Sequence, residues 1–109
     1  MTDLASKRCA PCEGGVPPLT REQAARLARE LNGWEMDDGA KGIRRTFTFD
    51  DFHGTMAFVN ALAWIAHKEN HHPDLRVGYN ERGVRYSTHA IDGLSEDDFI
   101  CAAKIDALV

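Results

Sequence analysis

Four of the five histidines fall between His67 and His89, in the run HKENHHPDLRVGYNERGVRYSTH. An imidazole titrates near pH 6.5, so it can give or take a proton at neutrality. Two or three of them around one pocket suit a general acid/base reaction that needs no bound cofactor. Three could instead hold zinc with one position open. Adjacent residues such as His71 and His72 point in different directions in regular structure, which makes joint ligation awkward. A purely structural role is the third possibility. A Ser-His-Asp arrangement is weaker, because Ser87 and His89 lie two apart in a strand with no oxyanion-forming glycine turn. Spacing alone leaves the first three alternatives open.

The elements around these residues must bring them together. His71 and His72 are closed by Pro73, and a residue before proline is pushed out of the α region, so a helix should end near Asn70. Leu75, Val77 and Tyr79 alternate, Asn80-Glu81-Arg82-Gly83 reads as a turn, and Val84, Tyr86 and Thr88 alternate again. Folding this hairpin would return His89 to the side of His71 and His72. The preceding helix spans 52 to 69, capped by Asp50 or Asp51, with Phe52, Met56, Val59, Leu62, Ala63 and Ala66 on one face. His53 stands apart from the cluster and is expected to be exposed.

Upstream, Thr20 and Gln23 form a capping box for a first helix that Gly33 stops. Trp34 to Met36 and Ile43 to Phe49 make a hairpin. Trp34 reads either as a core anchor or as the aromatic wall of a pocket. Downstream, Ser95 caps a helix over 96 to 107 with Asp98 at its third position, so Asp98 has a capping role to weigh against a site role. The order α-β-β-α-β-β-α predicts an α+β fold, a four-stranded antiparallel sheet with three helices on one face.

At 109 residues the chain is one domain. Hydrophobic content of 43% and charged content of 28% are ordinary for a globular protein. A net charge of -4 and the lack of a basic patch argue against nucleic acid as a partner. No apolar run approaches a membrane span, and MTDLASKRCAPC lacks the apolar core of a signal peptide, so a cytoplasmic location is expected. Cys9, Cys12 and Cys101 are three cysteines, an odd number that fits a reducing compartment. The Cys9-Ala10-Pro11-Cys12 spacing could be half a zinc site, but no second pair completes it. Residues 1–18 therefore read as a tail with a Gly/Pro linker, and 19–109 as the domain. Cys9 and Cys12 are expected to take no part in the pocket.

Several spaced motifs extend this reading. His67-x-x-x-His71-His72-Pro73, then Tyr79, His89 and Asp98 at their observed intervals, resemble the signature of the pterin-4a-carbinolamine dehydratase family. Cys9-Ala10-Pro11-Cys12-Glu13-Gly14-Gly15-Val16-Pro17-Pro18-Leu19, Gly33-Trp34-Glu35, Ser87-Thr88-His89 and Gly93-Leu94-Ser95-Glu96 resemble bacterial members, so the likeness covers nearly the whole chain. It implies the same fold and the dehydration of 4a-hydroxytetrahydropterin to quinonoid dihydropterin. That reaction restores the cofactor of aromatic amino acid hydroxylases without a cofactor or metal of its own. It implies that His71, His72 and His89 are catalytic and that Pro73, Ser87, Thr88, Trp34, Asp98 and His67 belong to the substrate site. His67 is a departure, since members usually have an acidic residue there, one helical turn before His71. Glu69 or Asp98 could supply that carboxylate. The resemblance also implies a homodimer or homotetramer. The alternatives are a non-catalytic dimerisation module for a regulatory protein, since animal members also act as dimerisation partners of a transcription factor, or a dehydratase for another reduced pterin or a molybdopterin-related compound.

Overall fold

The computed structural model describes residues 4–10 and 17–109. Its order is α1 (Arg21–Ala28), β1 (Glu35–Met36), β2 (Ile43–Thr48), α2 (Phe52–Glu69), β3 (Asp74–Val77), β4 (Glu81–Tyr86) and α3 (Glu96–Asp106). The strands form one antiparallel sheet in the order β1-β2-β4-β3. This is the expected α+β architecture.

Local signals set most of the boundaries. The Thr20 hydroxyl accepts from the Gln23 N–H while the Gln23 side chain accepts from the Thr20 N–H, closing the capping box of α1. α1 stops at Ala28, earlier than Gly33, and Gly33 serves instead at a turn with φ of 77°. Asp51 caps α2 through the Gly54 N–H at 2.7 Å. Asn70 ends α2 in the left-handed region, at φ 52° and ψ 44°, and so turns the chain from the helix toward His71.

Strand alternation separates two faces. Ile43, Phe47, Val84 and Tyr86 are buried against the helices, where Phe58 and Leu62 of α2 meet Phe99, Ile100 and Ile105 of α3. Phe47 and Phe58 pack at a tilt with ring centres 4.7 Å apart, and Trp34 meets Phe47 edge-on at 6.2 Å. α3 is not a one-faced helix, since Asp97 through Ala102 are all buried in succession. Such a helix needs cover on two sides. The sheet and α2 provide one side. The other is Leu4–Ser6, a single 3-10 turn with Leu4 buried in the core.

The second hairpin departs from expectation. Its turn falls at Gly78-Tyr79-Asn80, so Arg82 and Gly83 lie within β4, with Val77 opposite Arg82. Arg82 is fully buried, its guanidinium 4.8 Å from the Phe49 ring centre and 4.9 Å from that of Phe58. Two aromatic faces offset part of the cost of removing this cation from water. Burial nonetheless pushes its pKa down.

Candidate functional site

The Asn70 turn and the end of β4 converge at one end of the sheet. Beyond Tyr86 the chain leaves the ladder, Thr88 pairs with Gly93 in an isolated bridge, and His89 opens a 3-10 turn to Ile91. A cleft of about 490 Å³ results, with His71, His72, Ser87, Thr88 and His89 in its lining. The three imidazoles expected to meet do share this cleft. A larger groove of about 570 Å³ is lined by Arg44, Thr46, Arg76, Gly83 and Arg85 among others and has no histidine. Strand register puts these five on the sheet face away from the helices.

His71 is the most elaborately held of the three. Its Nε2 lies 2.6 Å from Oδ1 of Asp98, whose side chain is fully buried. The other carboxylate oxygen accepts from the Thr88 hydroxyl at 2.9 Å and from the Ser95 N–H at 3.0 Å. Asp98 thus caps α3 and orients His71 at once, with a different oxygen for each task. The imidazole lies parallel to the Tyr86 ring at 5.6 Å. With Nε2–H given to Asp98, Nδ1 is the nitrogen left for proton exchange. Burial alone would lower the His71 pKa, but the Asp98 hydrogen bond and charge outweigh it and hold the value above 6.5. His72 and His89 are exposed at the cleft.

Three expected site residues lie elsewhere. Trp34 is buried among core aromatics, and its Nε1–H donates to Asp106 at 2.9 Å and 3.1 Å, so it is a core anchor with a satisfied polar handle. His67 is exposed on α2, its ring 5.9 Å from that of Trp64. Pro73 follows His72 but does not line the cleft. The carboxylate beside His71 is Asp98, one of the two alternatives weighed for the departure at His67. Glu69, the other, accepts the Cys9 N–H at 2.8 Å instead.

The lining residues that went unrecognised in the sequence include two from the amino-terminal segment. Cys9 and Ala10 stand at the cleft, so the expectation that Cys9 keeps clear of the pocket does not hold. Anchoring of Leu4 and Lys7 to the far side of α3 carries the chain there, a long-range placement with no periodic signal near Cys9. Cys12 lies outside the described residues. Among the described residues no group of three or more His, Cys, Asp or Glu side chains is arranged to hold a metal ion.

Comparison with known proteins bears directly on this site. Residues 17–108 match the family model described as pterin 4 alpha carbinolamine dehydratase. The chain belongs to the pterin-4a-carbinolamine dehydratase family. It stands thereby among the hydro-lyases. It is 58% identical over 108 residues to a Nitrosomonas eutropha protein provisionally named pterin-4-alpha-carbinolamine dehydratase, covering 98% of this chain and 94% of that one. A Nitrosospira multiformis protein with the same provisional name is 59% identical, over 97% and 92% of the two chains. The crystal structure of a transcriptional coactivator/pterin dehydratase from Brucella melitensis superposes with a TM-score of 0.80 at 35% identity, over 84% of this chain and 97% of that one. A pterin dehydratase-like RuBisCO assembly factor of the alpha-carboxysome shares the fold at a TM-score of 0.62 and 23% identity, over 71% and 89%.

Proposed function

We propose that this member of the dehydratase family converts 4a-hydroxytetrahydropterin to quinonoid dihydropterin and water by histidine acid/base catalysis. The observation that carries the reading is the single cleft shared by His71, His72 and His89, with His71 bonded to a buried carboxylate. Asp98 favours the imidazolium form of His71, so His71 is the group poised to protonate the 4a-hydroxyl. The C4a–O bond then breaks and water leaves as a ring nitrogen gives up its proton and its electron pair moves into the ring. His89, exposed across the cleft, takes that proton. His72 holds and polarises the substrate. Proton exchange with solvent resets both imidazoles, so no redox partner is consumed. The product is the oxidised pterin that a pterin-dependent aromatic hydroxylase needs returned to its cycle, which supports a recycling role in the cytoplasm.

The test is stopped-flow absorbance with freshly generated 4a-hydroxytetrahydropterin. His71→Ala and His89→Ala should each slow turnover by about 10²–10⁴-fold, down to the floor set by the spontaneous reaction, while keeping the parent circular dichroism. His53→Ala should match the parent, and EDTA should change nothing. Full activity in both cleft variants, or its loss to EDTA, would overturn the assignment.

The same reading takes the protein to be a homo-oligomer. Edge strand β3 and the outer side of α2 leave Leu75, Val77, Tyr79, Phe52 and Trp64 exposed, a large apolar surface for so small a chain.

A further inference from the structure

Proton transfer by the histidines leaves one wall of the cleft without a role. That wall is built from residues ahead of the span 17–108 that the family model matches. Leu4 sits in the core and the Lys104 ammonium donates to the Ala5 carbonyl at 2.8 Å, which anchors the segment on α3. From there the chain reaches the cleft, where two carboxylates take two consecutive backbone N–H groups. Cys9 N–H donates to Glu69 Oε1 at 2.8 Å, and Ala10 N–H to Asp97 Oδ1 at 3.0 Å. The Cys9 thiol lies 3.5 Å from the buried Cys101 thiol and 3.7 Å from the Asp97 carbonyl.

Glu69 and Asp97 are both nearly buried, and a carboxylate so placed is costly unless hydrogen-bonded. Here the bonds come from a segment 60 and 87 residues away, next to residues that also face the cleft. The Cys9 bond holds Glu69 below the ordinary carboxylate range. Clamp and wall are therefore one construction.

We propose that Cys9 and Ala10 are a strap forming the substrate-side wall of the pterin cleft, with Glu69 as the positioning residue that holds it in place. This rests on the pterin reading above. The strap narrows the cleft and supplies part of its wall, so its loss should weaken substrate binding more than it slows proton transfer.

Glu69→Ala and Glu69→Gln in the full chain test it with two readouts. Cys9 alkylation by iodoacetamide, resolved by peptide mass spectrometry, reports the strap without any substrate. Glu69→Ala should speed that alkylation and raise KM about three- to tenfold, the worth of one hydrogen bond, with kcat changed less than about twofold. Glu69→Gln keeps an acceptor oxygen and should restore slow alkylation and most of the KM. If Glu69→Ala fails to fold, Ala10→Pro removes the N–H that Asp97 accepts without touching a core side chain, and should give the same pair of effects. Faster alkylation with unchanged KM, or unchanged alkylation, would overturn the strap. A parent protein that does not turn over the pterin would sink the dehydratase reading alone. The strap would then stand or fall on whether Cys9 is slow to alkylate in the parent and fast in Glu69→Ala.

Discussion

Asp98 favours the imidazolium form of His71 against the pull of burial, and its effect reaches both catalysis and stability. The folded pKa of His71 is raised above the ordinary 6.5 although burial pulls it down. A group whose folded pKa exceeds its unfolded one contributes stability that is complete below the unfolded value, about 6.5, and is lost as pH climbs through the folded value. Asp98→Asn removes the charge but leaves the burial, so the His71 midpoint should fall below the parent's in an imidazole NMR titration. The stability gap between parent and Asp98→Asn should be wide below about pH 6.5 and should narrow as pH rises through the folded His71 value in thermal melts. A gap that widens with pH would mean that Asp98 does not stabilise the imidazolium.

At the scale of elements, the exit from α2 decides where His71 and His72 go. Asn70 holds the left-handed conformation there, and the His71 N–H still reaches back to the Ala66 carbonyl at 3.1 Å. Glycine adopts that conformation without strain, whereas a β-branched residue pays roughly 1–2 kcal/mol. Asn70→Gly should thus melt close to the parent. Asn70→Val should lose roughly that amount, a drop of several degrees for a domain of this size. Because the two histidines follow directly, Asn70→Val should also lose turnover beyond what its unfolded fraction explains. Equal specific activity of the folded protein would show that the helix exit does not aim them.

Among the described residues the sheet ends in two edge strands, β1 and β3, and an edge strand is a template for pairing. Beside β3, Tyr79 is 67% exposed and stacks on exposed Phe52, while Trp64 on α2 is 63% exposed. Light scattering at micromolar concentration should give at least a dimeric mass. Trp64→Glu should shift the distribution toward smaller species if α2 takes part, since burying a carboxylate at an apolar contact is unfavourable. A monomeric parent would end the oligomer proposal.

What could be read from the sequence is what a few neighbouring residues decide together. The Thr20/Gln23 box, the Asp51 cap and the bounds of α2 each rest on hydrogen bonds closed within a turn of helix. The meeting of His71, His72 and His89 followed from a hairpin's geometry, whereas the pairing of β2 with β4 across the two hairpins is set by the packed sheet. The hairpin turn was misplaced because Gly78 and Gly83 are both plausible breaks. Only the stacking of Arg82 between Phe49 and Phe58 selects a register that buries a cation. Trp34 could be wall or anchor until Asp106, 72 residues away, took its N–H. Asp98 looked like a cap and is one, but its second oxygen meets His71 only because α3 packs beside the end of α2. The Cys9 segment carried no period at all, since its place is set by Leu4 in the core and by carboxylates on two different helices. Sequence resolves contacts whose partners are near in the chain; packing alone decides those whose partners are far.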